Sequence, residues 1–163
     1  MTPLVNEVVL WVHLFSAVLF VGGSFFMWIV VVPASYTLTE NEAERTRIVG
    51  KIAKQFAKIV NPALAVLVVT GLYNVTWYLP SVGSLLSTYA GHLLLAKLSA
   101  VVALIVMIYI SNVYFGRRIM RFAREGRLEE LKALRRVSRI ISFANLGLMV
   151  VILLFVVVMQ TTT

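Results

Sequence analysis

The chain has 163 residues, 60% of them hydrophobic, with a formal net charge of +8 and a mean hydropathy of +0.91. Hydropathy that high excludes an ordinary water-soluble domain. The absence of cysteine excludes disulfides, thiolate metal sites, iron–sulfur clusters and covalently attached c-type haem.

A bilayer core about 30 Å thick needs roughly 20 apolar residues per helix. Four stretches meet this: Val8–Val32, Ile59–Tyr78, Leu93–Phe115 and Ile140–Met159. The expected fold is an all-α integral membrane four-helix bundle, up-down-up-down, with cytoplasmic helical extensions. Residues 1–163 form one four-span domain with no internal repeat.

The first span follows "MTPLVNE", which lacks the basic region of a cleavable signal, and its apolar run is too long for one. It holds His13, about 9 Å below Glu7 at the usual helical rise. Small residues follow: Ser16, Ala17, Gly22, Gly23 and Ser24. They allow close approach of a flat macrocycle or of another helix. His13 itself reads either as a metal ligand or as one end of an interhelical hydrogen bond to a serine.

In "TENEAERTRIVGKIAKQFAKIV" the residues Ile48, Ile52 and Phe56 share a stripe, so an amphipathic helix is expected. Thr39 and Glu42 read as its capping box. Asn61-Pro62 suits a cap and first-turn proline for the second span. That span carries Thr70, Tyr73 and Trp77, which can bond or stack on a cofactor; the aromatics equally suit an interfacial belt.

The third span begins near His92 and contains Lys97, about 7.5 Å deeper. Intramembrane ionisable groups mark functional sites by default. His13 and Lys97 fall at comparable depth on spans one and three. In a bundle of this order those spans are diagonal, about 1.4 times the usual 8–10 Å apart, a gap that suits a planar cofactor. Lys97 can ligate iron as a neutral amine, pair with a propionate or anionic substrate, or snorkel outward. His92 lies about 140° around the helix from Lys97, so the two cannot both point at one iron. It reads as an alternative second ligand or as a satisfied boundary histidine.

"RFAREG" ends a helix at Gly126 and "RLEELKALRRVSR" begins the next, giving a helical hairpin. The final span, "LGLMVVILLFVVVM", is the most uniformly apolar. Asn61, Asn112, Ser142 and Asn145 gather towards the inner half and are expected to hydrogen-bond across helices. The six methionines form no MxxM cluster of the sort that Cu(I) favours.

Fourteen of the fifteen Lys and Arg residues lie in the two long connections, five in the first and nine in the second. The positive-inside rule puts both connections in the cytoplasm and both termini outside, in a multi-pass plasma-membrane protein. The basic charge is thereby explained by anionic lipid, with no nucleic-acid partner.

"WVHLFSAVLFVGGSFF" resembles the first span of the copper resistance protein D-like superfamily, which has a histidine followed nine or ten residues later by glycine. "LLAKLSAVVALI" and "RRVSRIISFANLGLMVVILLFVVVM" resemble the HemJ-type protoporphyrinogen oxidases. In that family a first-span histidine and a third-span lysine are implicated in haem b binding, which carries over to His13 and Lys97. The resemblance is to a haem pocket; where HemJ-type chains have an Asn-Glu pair in span four, this one has Asn145-Leu146.

The expected function is that of a small b-type cytochrome. Haem b sits on His13 with Lys97 or His92 opposite, and Ser16, Ala17, Gly22, Gly23, Tyr73 and Trp77 surround it. The chemistry is electron transfer near the outer face, linked to quinone, or oxidation of a porphyrinogen; the redox partner stays open and a homo-oligomer is compatible. The alternatives are a copper-handling or other transport protein without haem, and a structural membrane subunit.

Overall fold

Proline 33 is where the first span departs from a regular helix. It has no N–H, and its ring crowds the carbonyl four residues earlier. Helix α1 (Pro3–Phe26) therefore runs into a π-helical turn, Met27–Val31, before α2 (Val32–Leu38). The Val32 N–H bonds back to the Met27 carbonyl across the widened turn. The computed structural model describes residues 3–78 and 84–161.

Helix α3 (Glu42–Tyr78) starts two residues later than the Thr39 capping box predicts. The cap is Asn41, whose Oδ1 accepts from the N–H groups of Ala43 (2.9 Å) and Glu44 (3.2 Å). Thr39 instead accepts from the Asn41 N–H and donates to the Glu44 carboxylate. A side-chain amide one residue before the helix reaches those orphan donors, and a hydroxyl three residues before it does not. Nor does Asn61-Pro62 start a new helix: α3 passes through Pro62 without a break.

After α4 (Ser84–Ser87), Thr88 caps α5 (Tyr89–Ile110) by accepting from the Gly91 N–H. A second π-helical turn, Ser111–Gly116, leads into α6 (Arg117–Glu125). Gly126 ends α6 at φ 70°, as its composition predicts, because only glycine enters the left-handed region without strain. Helix α7 (Leu128–Thr161) returns through the bundle.

Four helical rods, Pro3–Leu38, Glu42–Thr76, Gly91–Glu125 and Leu128–Val158, are each long and apolar enough to cross a membrane. The chain is an all-α, multi-pass membrane protein whose environment is a lipid bilayer. The first rod packs on the second, the third on the fourth, and α6 closes against α3 at the basic end. Rods one and three are thus diagonal. Phe20, Leu104, Leu146 and Met149 form a buried cluster, and Val60, Leu64 and Leu67 of α3 pack against it, so all four rods meet there.

Helical periodicity sorts the faces. On α1, Ser16 and Phe20 are buried, while Trp11, Phe15 and Val18 are 74, 66 and 69% exposed. That is the pattern expected where lipid, not water, takes the outer face and small side chains mediate contact. Gly23 is one such contact: a Cβ there would lie 2.5 Å from the Phe56 ring.

Candidate functional site

His13 falls one turn outward from Ser16 on the inward stripe of α1, half-buried against α3. Its Nδ1 lies 2.8 Å from Thr70 Oγ1. That hydroxyl has one proton, and it is donated along α3 to the Val66 carbonyl at 2.6 Å. Towards the imidazole Thr70 therefore accepts, and His13 carries its proton on Nδ1. In that tautomer the lone pair is on Nε2, which makes no hydrogen bond among the described residues. Gly71 permits the approach, since a Cβ at that position would sit 3.2 Å from His13 Cε1.

One end of this site is tied by Tyr73, which donates to Asn6 Oδ1 at 2.9 Å and so joins α3 to the start of α1. Asn74, one turn from Thr70 on the same helix, has a buried amide oxygen with no hydrogen-bond partner among the described residues. Lys97 of α5 is partly buried and forms no ion pair or hydrogen bond among the described residues. His92 is exposed, with Nε2 3.1 Å from the Leu86 carbonyl, a local bond at the start of its own helix.

The other expected site residues are dispersed. Ser16 is buried and Ala17 partly so, both on the His13 stripe. Gly22 faces open space, and the face of Gly23 is taken by Phe56. The Trp77 side chain lies outside the described residues. Sequence reasoning missed Gly71 and read Thr70 as a cofactor partner; the signal for both was a small pair, Thr70-Gly71, at the depth of His13. Among the described residues no three His, Cys, Asp or Glu side chains converge as a metal site.

The large cavity, about 950 Å³, lies elsewhere, towards the basic end and between all four rods. Neither His13, His92 nor Lys97 lines it. Both π-helical turns do, through Met27, Trp28, Ser111, Asn112 and Gly116. The four polar residues expected to gather, Asn61, Asn112, Ser142 and Asn145, all lie on its wall. Among the described residues they do not hydrogen-bond across helices as expected. Ser142 donates to Ser138 of its own helix, and Asn145 Oδ1 is buried without a partner. The cavity keeps the rods apart at this level. Met27, Met120 and Met149 also lie on this wall, which their spacing in the chain conceals.

The family model for copper resistance protein D matches residues 50–159, more than half of the chain. The matched span includes Thr70, His92 and Lys97 and begins beyond His13. No curated protein and no solved structure matches the chain.

Proposed function

The chain belongs to the copper resistance protein D family, and from that premise we propose that it handles copper as cargo, binding the ion at His13 Nε2. The observation that carries this reading is the Val66–Thr70–His13 chain of hydrogen bonds. A metal-ligating histidine donates its other N–H to an outer partner that sets tautomer and ring orientation. Thr70 does this for His13, and Gly71 lets the ring lie close to α3. Imidazole suits copper, and the unpartnered Asn74 oxygen offers a weak further donor nearby.

Lys97 sets how readily a cation enters. A charged ammonium acting on the same region opposes Cu(I), and a neutral amine adds a ligand. The base count supports an orientation with both termini outside and the two basic connections in the cytoplasm. In that orientation copper reaches His13 from the outer side.

Haem b on His13, with electron transfer to quinone or the porphyrinogen oxidation of HemJ-type proteins, draws on the same nitrogen and has less support. The cavity of about 950 Å³, large enough for a macrocycle, is lined by none of the three expected ligands. One His92 nitrogen is engaged with Leu86, and Phe56 fills the face of Gly23.

The test is titration of the purified protein with Cu(I) against a chromophoric chelator, with an absorption spectrum of the same sample. The expected result is one high-affinity copper that His13→Ala abolishes, and no Soret band. Unchanged copper binding in His13→Ala overturns the reading. A Soret band lost in that variant replaces copper with haem.

A further inference from the structure

Three rods bring the same sequence of side chains to the wall of the large cavity. On α3 the order from the basic end is Lys54, Asn61, Leu64; on the third rod it is Arg117, Asn112, Ile108; on α7 it is Arg139, Asn145, Met149. Each runs from cation to amide to apolar side chain. The amide lies five to seven residues in, about 7.5–10.5 Å along a helix, and the apolar residue three or four further. Helix packing alone does not require this register on three separate rods.

The charges at the mouth are only partly compensated. Arg121 pairs with Glu125 at 2.8 Å, Arg135 with Glu42 at 3.2 Å, and Arg139 bonds the Tyr36 hydroxyl. Lys54, Arg117 and Arg124 have no such partner among the described residues. Such a mouth repels a metal cation. At the middle level Asn145 is 7% exposed and its amide oxygen is unpartnered. A buried amide of that kind costs free energy until an occupant bonds it. Below it the wall is Phe20, Leu64, Leu146 and Met149.

We propose that this cavity is a binding site for an anionic glycerophospholipid from the leaflet at the basic end. The acidic head lies on Lys54, Arg117 and Arg124, the ester carbonyls accept from the asparagine NH2 groups, with the Asn145 amide turned so that its NH2 takes the place of the unpartnered oxygen, and an acyl chain fills the apolar floor. No other part of a membrane presents anion, polar linkage and hydrocarbon in that order and at that depth. Basic pockets between spanning helices are where acidic lipid headgroups are held. The two π-helical turns, both on this wall, widen the rods where the lipid enters.

The experiment is native mass spectrometry of the detergent-purified full chain after exchange with phosphatidylglycerol or phosphatidylcholine. Wild type is expected to retain one phosphatidylglycerol and no phosphatidylcholine. Each cation removed costs about five-fold in affinity, so Lys54→Gln/Arg117→Gln is expected to lose about 25-fold, and Lys54→Arg/Arg117→Lys to restore most of it. Asn145→Leu is expected to weaken binding several-fold without altering headgroup preference. Arg136→Gln, off the cavity wall, serves as the control and is expected to change nothing. Melting temperature in phosphatidylcholine checks that each variant folds; if the double variant does not, the Asn145→Leu and headgroup comparisons decide. Equal retention of the two lipids, an equal loss in Arg136→Gln, or retention of a non-lipid amphiphile overturns the proposal.

Discussion

His13 and Thr70, fifty-seven residues apart in sequence, face each other across α1 and α3 with Nδ1 and Oγ1 2.8 Å apart. The direction of that bond is set by a third group, the Val66 carbonyl, which takes the only proton that Thr70 has to give. A threonine turned back on its own helix thus decides which imidazole nitrogen is free. The serine expected as the partner of His13 is a threonine on the neighbouring span. The interhelical bond and the ligand reading, posed as alternatives, are compatible on one ring.

Replacing Thr70 with valine keeps the shape and removes the acceptor. Copper affinity is expected to fall about 10- to 100-fold, the usual cost of losing an outer partner of a ligating histidine. Thr70→Ser, which keeps the hydroxyl, is expected to stay near wild type. Chelator competition measures both, and equal losses in the two variants would show that the hydroxyl is not what matters.

Lys97→Gln separates the two roles of the lysine. If the ammonium opposes a cation at His13, its loss tightens copper binding by about an order of magnitude. A weakening of similar size would instead make Lys97 a ligand. The expected outcome is tightening, because Lys97 makes no ion pair among the described residues that would hold its charge away from His13.

Gly23→Ala tests the packing reading of the first-span glycines. The new Cβ meets the Phe56 ring at 2.5 Å, and overpacking of this kind costs about 1–3 kcal/mol. Phe56→Leu in the same chain is expected to recover part of that loss. Gly22→Ala, which meets open space, is expected to leave the melting temperature unchanged.

The hairpin between α6 and α7 carries the acid-sensitive groups. Hydrogen bonding from Arg121 holds the Glu125 carboxyl below its ordinary range, and Arg127 does the same for Glu130. Carboxyls depressed in the folded state bind fewer protons there than in the unfolded state. Their contribution is therefore present above the ordinary carboxylate range and lost as pH falls through the folded values. The pairs are exposed and the effect is local. A spin label on Ala133→Cys, a unique cysteine in this chain, is expected to gain mobility between neutral pH and about pH 3. Unchanged spectra would mean that the pairs do not hold the tip.

Much of the architecture was legible before folding. Four apolar runs, two basic connections and a glycine after "RFARE" determine four spanning helices, a basic end and a hairpin turn. These follow from sums along the chain: the thickness of hydrocarbon to be crossed, the charge of each connection, and the one residue type that enters the left-handed region freely. The depth of His13 was legible for the same reason, since rise per residue is constant along a helix.

Which faces meet was decided by tertiary structure alone. Depth along the chain gathers Asn61, Asn112 and Asn145 in one half of the membrane, but nothing in their spacing turns three separate rods so that all of them face one cavity. Phe56 was readable as apolar, but its seat on Gly23 depends on how α1 and α3 cross. Pro62 looked like a helix start because a missing N–H is cheapest there; packing of α3 against α1 and α6 instead carries one helix through it. Hydropathy and charge act on each segment separately, so the chain by itself determined how many times it crosses the membrane and where its charge lies. Hydrogen-bond direction, cavities and close contacts are properties of pairs of segments, and only the packed bundle brings those pairs together.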